Sequence, residues 1–146
     1  MASVPLHYVD LRAFCYATED DTRVEAALQT FLPTETEIGR EETKGHNGDR
    51  ILVLSVRLER ADEVRHVLSK LAGLDDLEGL LDELEARIDD NCAFYLQLDK
   101  QAAFNDVVEL GDGLMLRGKV EAYPAEKNRA IETAESALCD LAEQAA

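Results

Sequence analysis

Residues 7–16 alternate without a break, with Val9, Leu11, Ala13 and Cys15 on one side and Tyr8, Asp10, Arg12, Phe14 and Tyr16 on the other. Period two predicts a strand with one face buried. Such a strand constrains the whole chain, because it needs partner strands at its edges and an apolar layer against its buried side.

The pattern then changes to helical spacing. Thr18 and Asp21 resemble a capping box with Asp in place of Glu, and Val24, Ala27, Leu28 and Phe31 fall at i, i+3, i+4 and i+7. A helix over residues 19–32 is expected, stopped by Pro33. Residues 35–44 are polar, Gly45-His46-Asn47-Gly48-Asp49 is a turn, and residues 51–58 are strongly apolar. This predicts a hairpin with a polar edge strand and a central one. Asp62 and Glu63 suit a helix start, Val64, Val67, Leu68 and Leu71 form its stripe, and Gly73 ends it. Leu77, Leu80, Leu81, Leu84 and Ile88 predict one more short helix, acidic on its outer side.

Residues 92–98 alternate as a strand, with Phe94, Leu96 and Leu98 opposite Tyr95, Gln97 and Asp99. A connection over 100–106 follows. Residues 107–110 and 114–123 suggest two strands joined at Gly111-Asp112-Gly113, with Leu116, Gly118 and Val120 opposite Arg117, Lys119 and Glu121. Pro124 suits the first turn of a last helix, whose stripe is Ile131, Ala134, Leu138 and Leu141. The expectation is a single α+β domain over residues 1–146, with helices packed on one face of a mainly antiparallel sheet. No internal repeat or low-complexity linker interrupts it.

Charge narrows the setting. The 31 Asp and Glu outnumber the 15 Lys and Arg, leaving a net charge of −16 that opposes compaction in ordinary buffer. At about 1 M salt the Debye length falls to roughly 3 Å, and the repulsion between neighbouring carboxylates is screened. Because 46% of residues are hydrophobic and the acids are spread along the chain, a disordered acidic tail does not fit. The composition reads as that of a halophile's cytoplasmic protein. No apolar run approaches the roughly 20 residues of a membrane span, and residues 1–6 are too short and polar for a signal peptide.

Enzyme signals are scarce. His7, His46 and His66 fall in strand, turn and helix, and Cys15, Cys92 and Cys139 are far apart, without metal-site or disulfide spacing. Asp75-Asp76 and Asp89-Asp90 are pairs that an acidic chain contains by chance. No phosphate-binding loop, nucleophile elbow or calcium loop is present. Neither a catalytic residue nor a cofactor is expected; a metal-assisted nuclease built on clustered acids is the remaining enzymatic alternative.

The uncovered sides of the predicted strands carry Tyr8, Arg12, Phe14, Tyr16, Tyr95, Gln97, Arg117 and Lys119. Rings to stack on, cations and an amide are what single-stranded RNA requires. The same pattern suits a second subunit, giving a homodimer or a protein partner's interface, or a covering helix from the chain itself. After the strand at residue 98 comes Asp99-Lys100-Gln101-Ala102-Ala103-Phe104, a cation and an amide where loops meet ligands.

The strings Val9-Asp10-Leu11-Arg12-Ala13-Phe14, Ala17-Thr18-Glu19-Asp20, Gly48-Asp49-Arg50-Ile51, Leu98-Asp99-Lys100-Gln101-Ala102-Ala103 and Val120-Glu121-Ala122-Tyr123-Pro124 resemble an archaeal family of predicted RNA-binding proteins, also described as predicted exosome subunits. The likeness spans residues 6–138 and is nearest to halophilic members. It implies a fold similar to the ribosomal protein that binds 5S rRNA, with RNA as ligand and RNA-processing or exosome proteins as partners. Within that pattern Lys100 and Gln101 are the functional positions implied.

Overall fold

In the structure, a computed structural model, residues 6–33, 36–45, 48–74 and 76–145 are described. His46 and Asn47 of the expected hairpin turn, and Asp75 of the first acidic pair, lie outside them. Five strands form one antiparallel sheet: β1 (Leu6–Tyr16), β2 (Gly39–Lys44), β3 (Arg50–Leu58), β4 (Ala93–Asp99) and β5 (Gly113–Val120), in the order β2-β3-β1-β5-β4. The long alternating strand is therefore the middle of the sheet, which explains why it carries the cleanest pattern. Polar β2 is an outer strand with all six residues exposed, and β3 is interior. At the opposite rim, β4 is flanked by isolated bridges from Ile88 to Phe94 and from Leu110 to Leu98.

The helices are α1 (Asp21–Gln29), α2 (Ala61–Ala72), α3 (Leu77–Asp82), α4 (Leu84–Arg87), α5 (Lys100–Phe104) and α6 (Lys127–Ala145). Their apolar stripes, including Leu28, Val64, Val67, Leu80, Leu84, Ala134 and Leu138, join Val9, Leu11, Ala13, Leu54, Leu98 and Leu114 from the sheet in one core. The expected α+β layering, with helices on one face of an antiparallel sheet, is what the chain adopts.

Four local expectations need correction. Asp20 caps α1, its carboxylate accepting from the Thr22 N–H at 2.9 Å, so the Thr18–Asp21 box does not form. Residues 17–19 are used instead to turn the chain out of β1, the Glu19 N–H donating to the Tyr16 carbonyl and the Tyr16 N–H to the Glu19 side chain. Leu80, Leu84 and Ile88 of the 77–88 stripe are buried and Leu77 and Leu81 pack partly buried against the core, but the helix breaks at Glu83 into α3 and α4.

Residues 107–110 form no strand: only Leu110 bridges to Leu98, and the expected hairpin is replaced by α5 and a loop between β4 and β5. The cause is Asp99, whose carboxylate accepts the Ala102 N–H at 2.9 Å and starts a helix in the good formers that follow. Finally, α6 begins at Lys127, with Pro124 in the preceding turn, where its carbonyl accepts from Glu126 N–H.

Gly113 opens β5 with φ of 108°, and a Cβ there would lie 2.7 Å from the Cβ of Lys100. Backbone conformation and the neighbouring lysine both require glycine. Gly113→Ala is expected to lower stability by more than about 1 kcal/mol, measured by chemical denaturation.

Candidate nucleic-acid interface

The helix layer consumes one side of each strand and leaves the other. Register then decides which side chains on that free side are neighbours. Asp10 lies opposite Arg57 of β3 and Arg117 of β5, and Arg117 lies opposite Tyr95 of β4. The next row runs Ser55, Arg12, Met115, Gln97. Tyr8 is opposite Lys119, and Phe14 opposite Val53. Seven of the sequence-predicted residues, Tyr8, Arg12, Phe14, Tyr95, Gln97, Arg117 and Lys119, thus share one face. Tyr95 is 42% exposed, Met115 44% and Tyr16 51%, so the chain's own helices do not cover it.

The face has built-in contacts. The Arg57 guanidinium lies 4.1 Å from the centre of the Tyr8 ring and donates to both Asp10 oxygens, at 2.8 and 2.9 Å. Hydrogen bonding to Asp10, and then its charge, raise the Arg57 pKa further above its already high ordinary value. The Arg117 guanidinium sits 5.7 Å from the Tyr95 ring centre. Lys119 donates to the Asn91 carbonyl. That carbonyl belongs to a turn organised by Asp89, whose carboxylate accepts from the Ala93 and Asn91 N–H groups. The Ala93 bond first, with Asn91 helping and burial opposing, keeps the Asp89 pKa below its usual value.

Arg12 is different: among the described residues its guanidinium has no ion pair, hydrogen bond or ring contact. A shallow depression of about 360 Å³ lies at the centre, between Asp10, Arg12, Arg57, Tyr95, Met115 and Arg117. The arrangement offers flat rings at spaced positions, guanidinium groups beside them, and the Gln97 amide and Ser55 hydroxyl as hydrogen-bonding groups.

Arg57, Asp10 and Ser55 were not among the predicted site residues. The signal was present in β3, where Ser55 and Arg57 alternate with Leu54, Val56 and Leu58, but the apolar content of residues 51–58 hid it.

Lys100 and Gln101 stand apart from this face, in α5. The Lys100 ammonium is directed to the Glu19 carboxylate, at 2.7 and 2.8 Å, and to the Phe14 carbonyl at 3.0 Å; the residue is only 9% exposed. Burial alone would raise the Glu19 pKa, but hydrogen bonds from Lys100 and the Tyr16 N–H, with the Lys100 charge, outweigh it and hold the carboxyl below its ordinary value. Cys15 and Cys92 are buried, and burial is the main cause that raises the Cys15 thiol. Among the described residues no three His, Cys, Asp or Glu side chains come close enough to hold a metal ion, and no helix is long and apolar enough to cross a membrane.

Residues 8–134 match a protein family described as RNA binding. The chain is 32% identical over 136 residues to RNA-binding protein PAB1135 of Pyrococcus abyssi, covering 86% of this chain and 88% of that one. Mth689, a DUF54 protein of Methanothermobacter thermautotrophicus, superposes with a TM-score of 0.80 at 36% identity over 92% of this chain and 98% of its own. AF2318 of Archaeglobus fulgidus, also DUF54, gives 0.79 and 31%, over 90% and 99%. With its sheet layered on one side only and most of its length matched, this chain belongs to the archaeal RNA-binding family.

Proposed function

We propose that the protein is a non-enzymatic binder of single-stranded RNA and that the open face of the sheet is where the strand lies. The observation that carries this reading is local charge and ring content. In a chain of net charge −16, the free sides of β3, β1, β5 and β4 bring together Arg12, Arg57, Arg117 and Lys119 with Tyr8, Phe14, Tyr16 and Tyr95. The protein works in a salt-rich cytoplasm, where counterion release contributes little and the overall negative charge is screened. Affinity there comes from stacking and hydrogen bonding. The resemblance to predicted exosome subunits supports a place beside RNA-processing or decay proteins.

Arg12 supplies the cleanest test, because among the described residues its guanidinium has no partner to lose. Arg12→Ala is expected to weaken binding of a single-stranded oligoribonucleotide about fivefold in molar KCl, with Tm unchanged. Arg129→Ala, on the helix side, is expected to leave affinity where it was. Equal effects of the two substitutions would remove the face from the proposal.

The exposed Met115 beside Tyr95 favours a second reading, in which this surface joins two copies of the chain. Light scattering at molar salt separates the two readings: a dimer that persists when RNA is saturating supports subunit packing, and a monomer that gains the mass of one oligonucleotide supports RNA.

A further inference from the structure

Beyond the end of β1, a second hollow of about 280 Å³ lies between the start of α1 and α5, lined in part by Glu19, Asp20, Arg23, Lys100, Gln101 and Phe104. We infer that it is a base-reading subsite, which accepts one unstacked nucleobase bearing an exocyclic amine from a strand laid on the open face. This rests on the RNA-binding reading and deepens it.

Position comes first. The Lys100 ammonium bonds the Phe14 carbonyl and lies 5.4 Å from the centre of the Tyr16 ring, so the hollow adjoins the last aromatic residue of the open face. Tyr8 to Tyr16 spans roughly 26 Å at the rise of a strand, and a polynucleotide following β1 is delivered to this end.

Charge comes second. Two cations, Arg23 and Lys100, face two carboxylates, Glu19 and Asp20, and Glu19 is already engaged by Lys100. A balanced site gives no net pull to a phosphate. It suits a neutral flat group, and groups to pack against one are present: the Arg23 guanidinium carbon is held over the Phe104 ring, 4.3 Å from its centre, at the wall of the hollow.

Hydrogen-bonding capacity comes third. Asp20 uses Oδ1 to cap α1, while among the described residues Oδ2 and the Gln101 side-chain amide have no partner. An exocyclic amine has two N–H donors, enough for the free Asp20 oxygen and the Gln101 carbonyl together. Uracil has a single N–H, so cytosine and uracil, which differ at that edge, are the discriminating pair.

The test is fluorescence anisotropy in molar KCl with two oligonucleotides, octacytidylate and octauridylate. The unmodified protein is expected to bind the cytosine oligomer about tenfold tighter. Asp20→Asn, which keeps an N-cap side chain, and Gln101→Ala should each reduce that ratio to within about twofold while leaving uracil affinity unchanged. Equal binding of both oligomers by the unmodified protein overturns the subsite and leaves the open-face reading standing. A preference that survives both substitutions overturns it too. Binding of neither oligomer defeats the RNA reading, and the subsite with it.

Discussion

Replacing Tyr8, Phe14 and Tyr95 together by Ala is expected to weaken RNA binding at least a hundredfold in molar KCl. The three rings stand on β1 and β4, with β5 between these strands, so together they frame the face rather than mark one corner of it. Base stacking on an aromatic side chain is worth about 1–3 kcal/mol per base, and two lost stacks at the lower middle of that range already give a factor of about a hundred. Salt cannot restore what is lost, because at this ionic strength phosphate contacts contribute little. Tyr8 also supports the Arg57 guanidinium, so its removal loosens a cation as well as deleting a ring. A matched triple variant of cations away from this face, Lys44, Lys127 and Arg129 to Ala, should lose far less. Titration with a labelled oligonucleotide, with circular dichroism to verify the fold, checks both; unchanged affinity in the ring variant would end the proposal.

The second large effect concerns stability. Lys100→Met should cost about 2–3 kcal/mol, read by chemical denaturation. Removing one partner from a fully buried ion pair costs about 3–5 kcal/mol because the other charge is left without compensation. Here the loss is smaller, since the Glu19 side chain is 22% exposed and the Lys100 side chain 11%, and water reaches part of the pair. Glu19→Gln should cost less than Lys100→Met, as an amide can still accept from Lys100.

The pH dependence has a definite sign. Glu19 has a folded pKa below its unfolded one, so its contribution is fully present above the ordinary carboxylate value and disappears as pH falls through the lowered folded value. Acid titration of the unmodified protein should therefore show a loss of stability in that window that is smaller in Glu19→Gln. Equal acid sensitivity of the two proteins would show that the pair is not coupled to folding.

What the sequence made legible follows from where patterns are uninterrupted. In β1 a side chain has no choice of face once Val9, Leu11 and Ala13 are fixed inward, and the opposite set Tyr8, Arg12 and Phe14, half-buried to exposed, follows by parity. The same held for β4 and β5, so the membership of the face could be read before its strand order. Adjacency could not: that Arg117 lies between Asp10 and Tyr95 depends on non-local pairing, which no local pattern encodes.

The misplaced elements share another cause. Residues 107–110 have strand-like side chains, yet Asp99 at a helix-capping position decides the course of the chain just before them. Lys100 shows the limit most clearly, since its charge looks free in sequence and is neutralised in space by a residue 81 positions away. Gln101, next to it, has an amide without a partner among the described residues, and no spacing rule distinguishes the two.

The rims of the sheet bear on how copies of this protein coexist. Along β2, Arg40, Glu41, Glu42 and Lys44 border the outermost backbone, while bridges from Ile88 and Leu110 occupy both ends of the β4 margin. A neighbouring sheet seeking to extend this one would meet fixed ionic groups on one flank and an already occupied backbone on the other. Growth by strand addition into fibres is thereby discouraged, and the surface left for self-association is the flat aromatic face on which we propose that RNA lies.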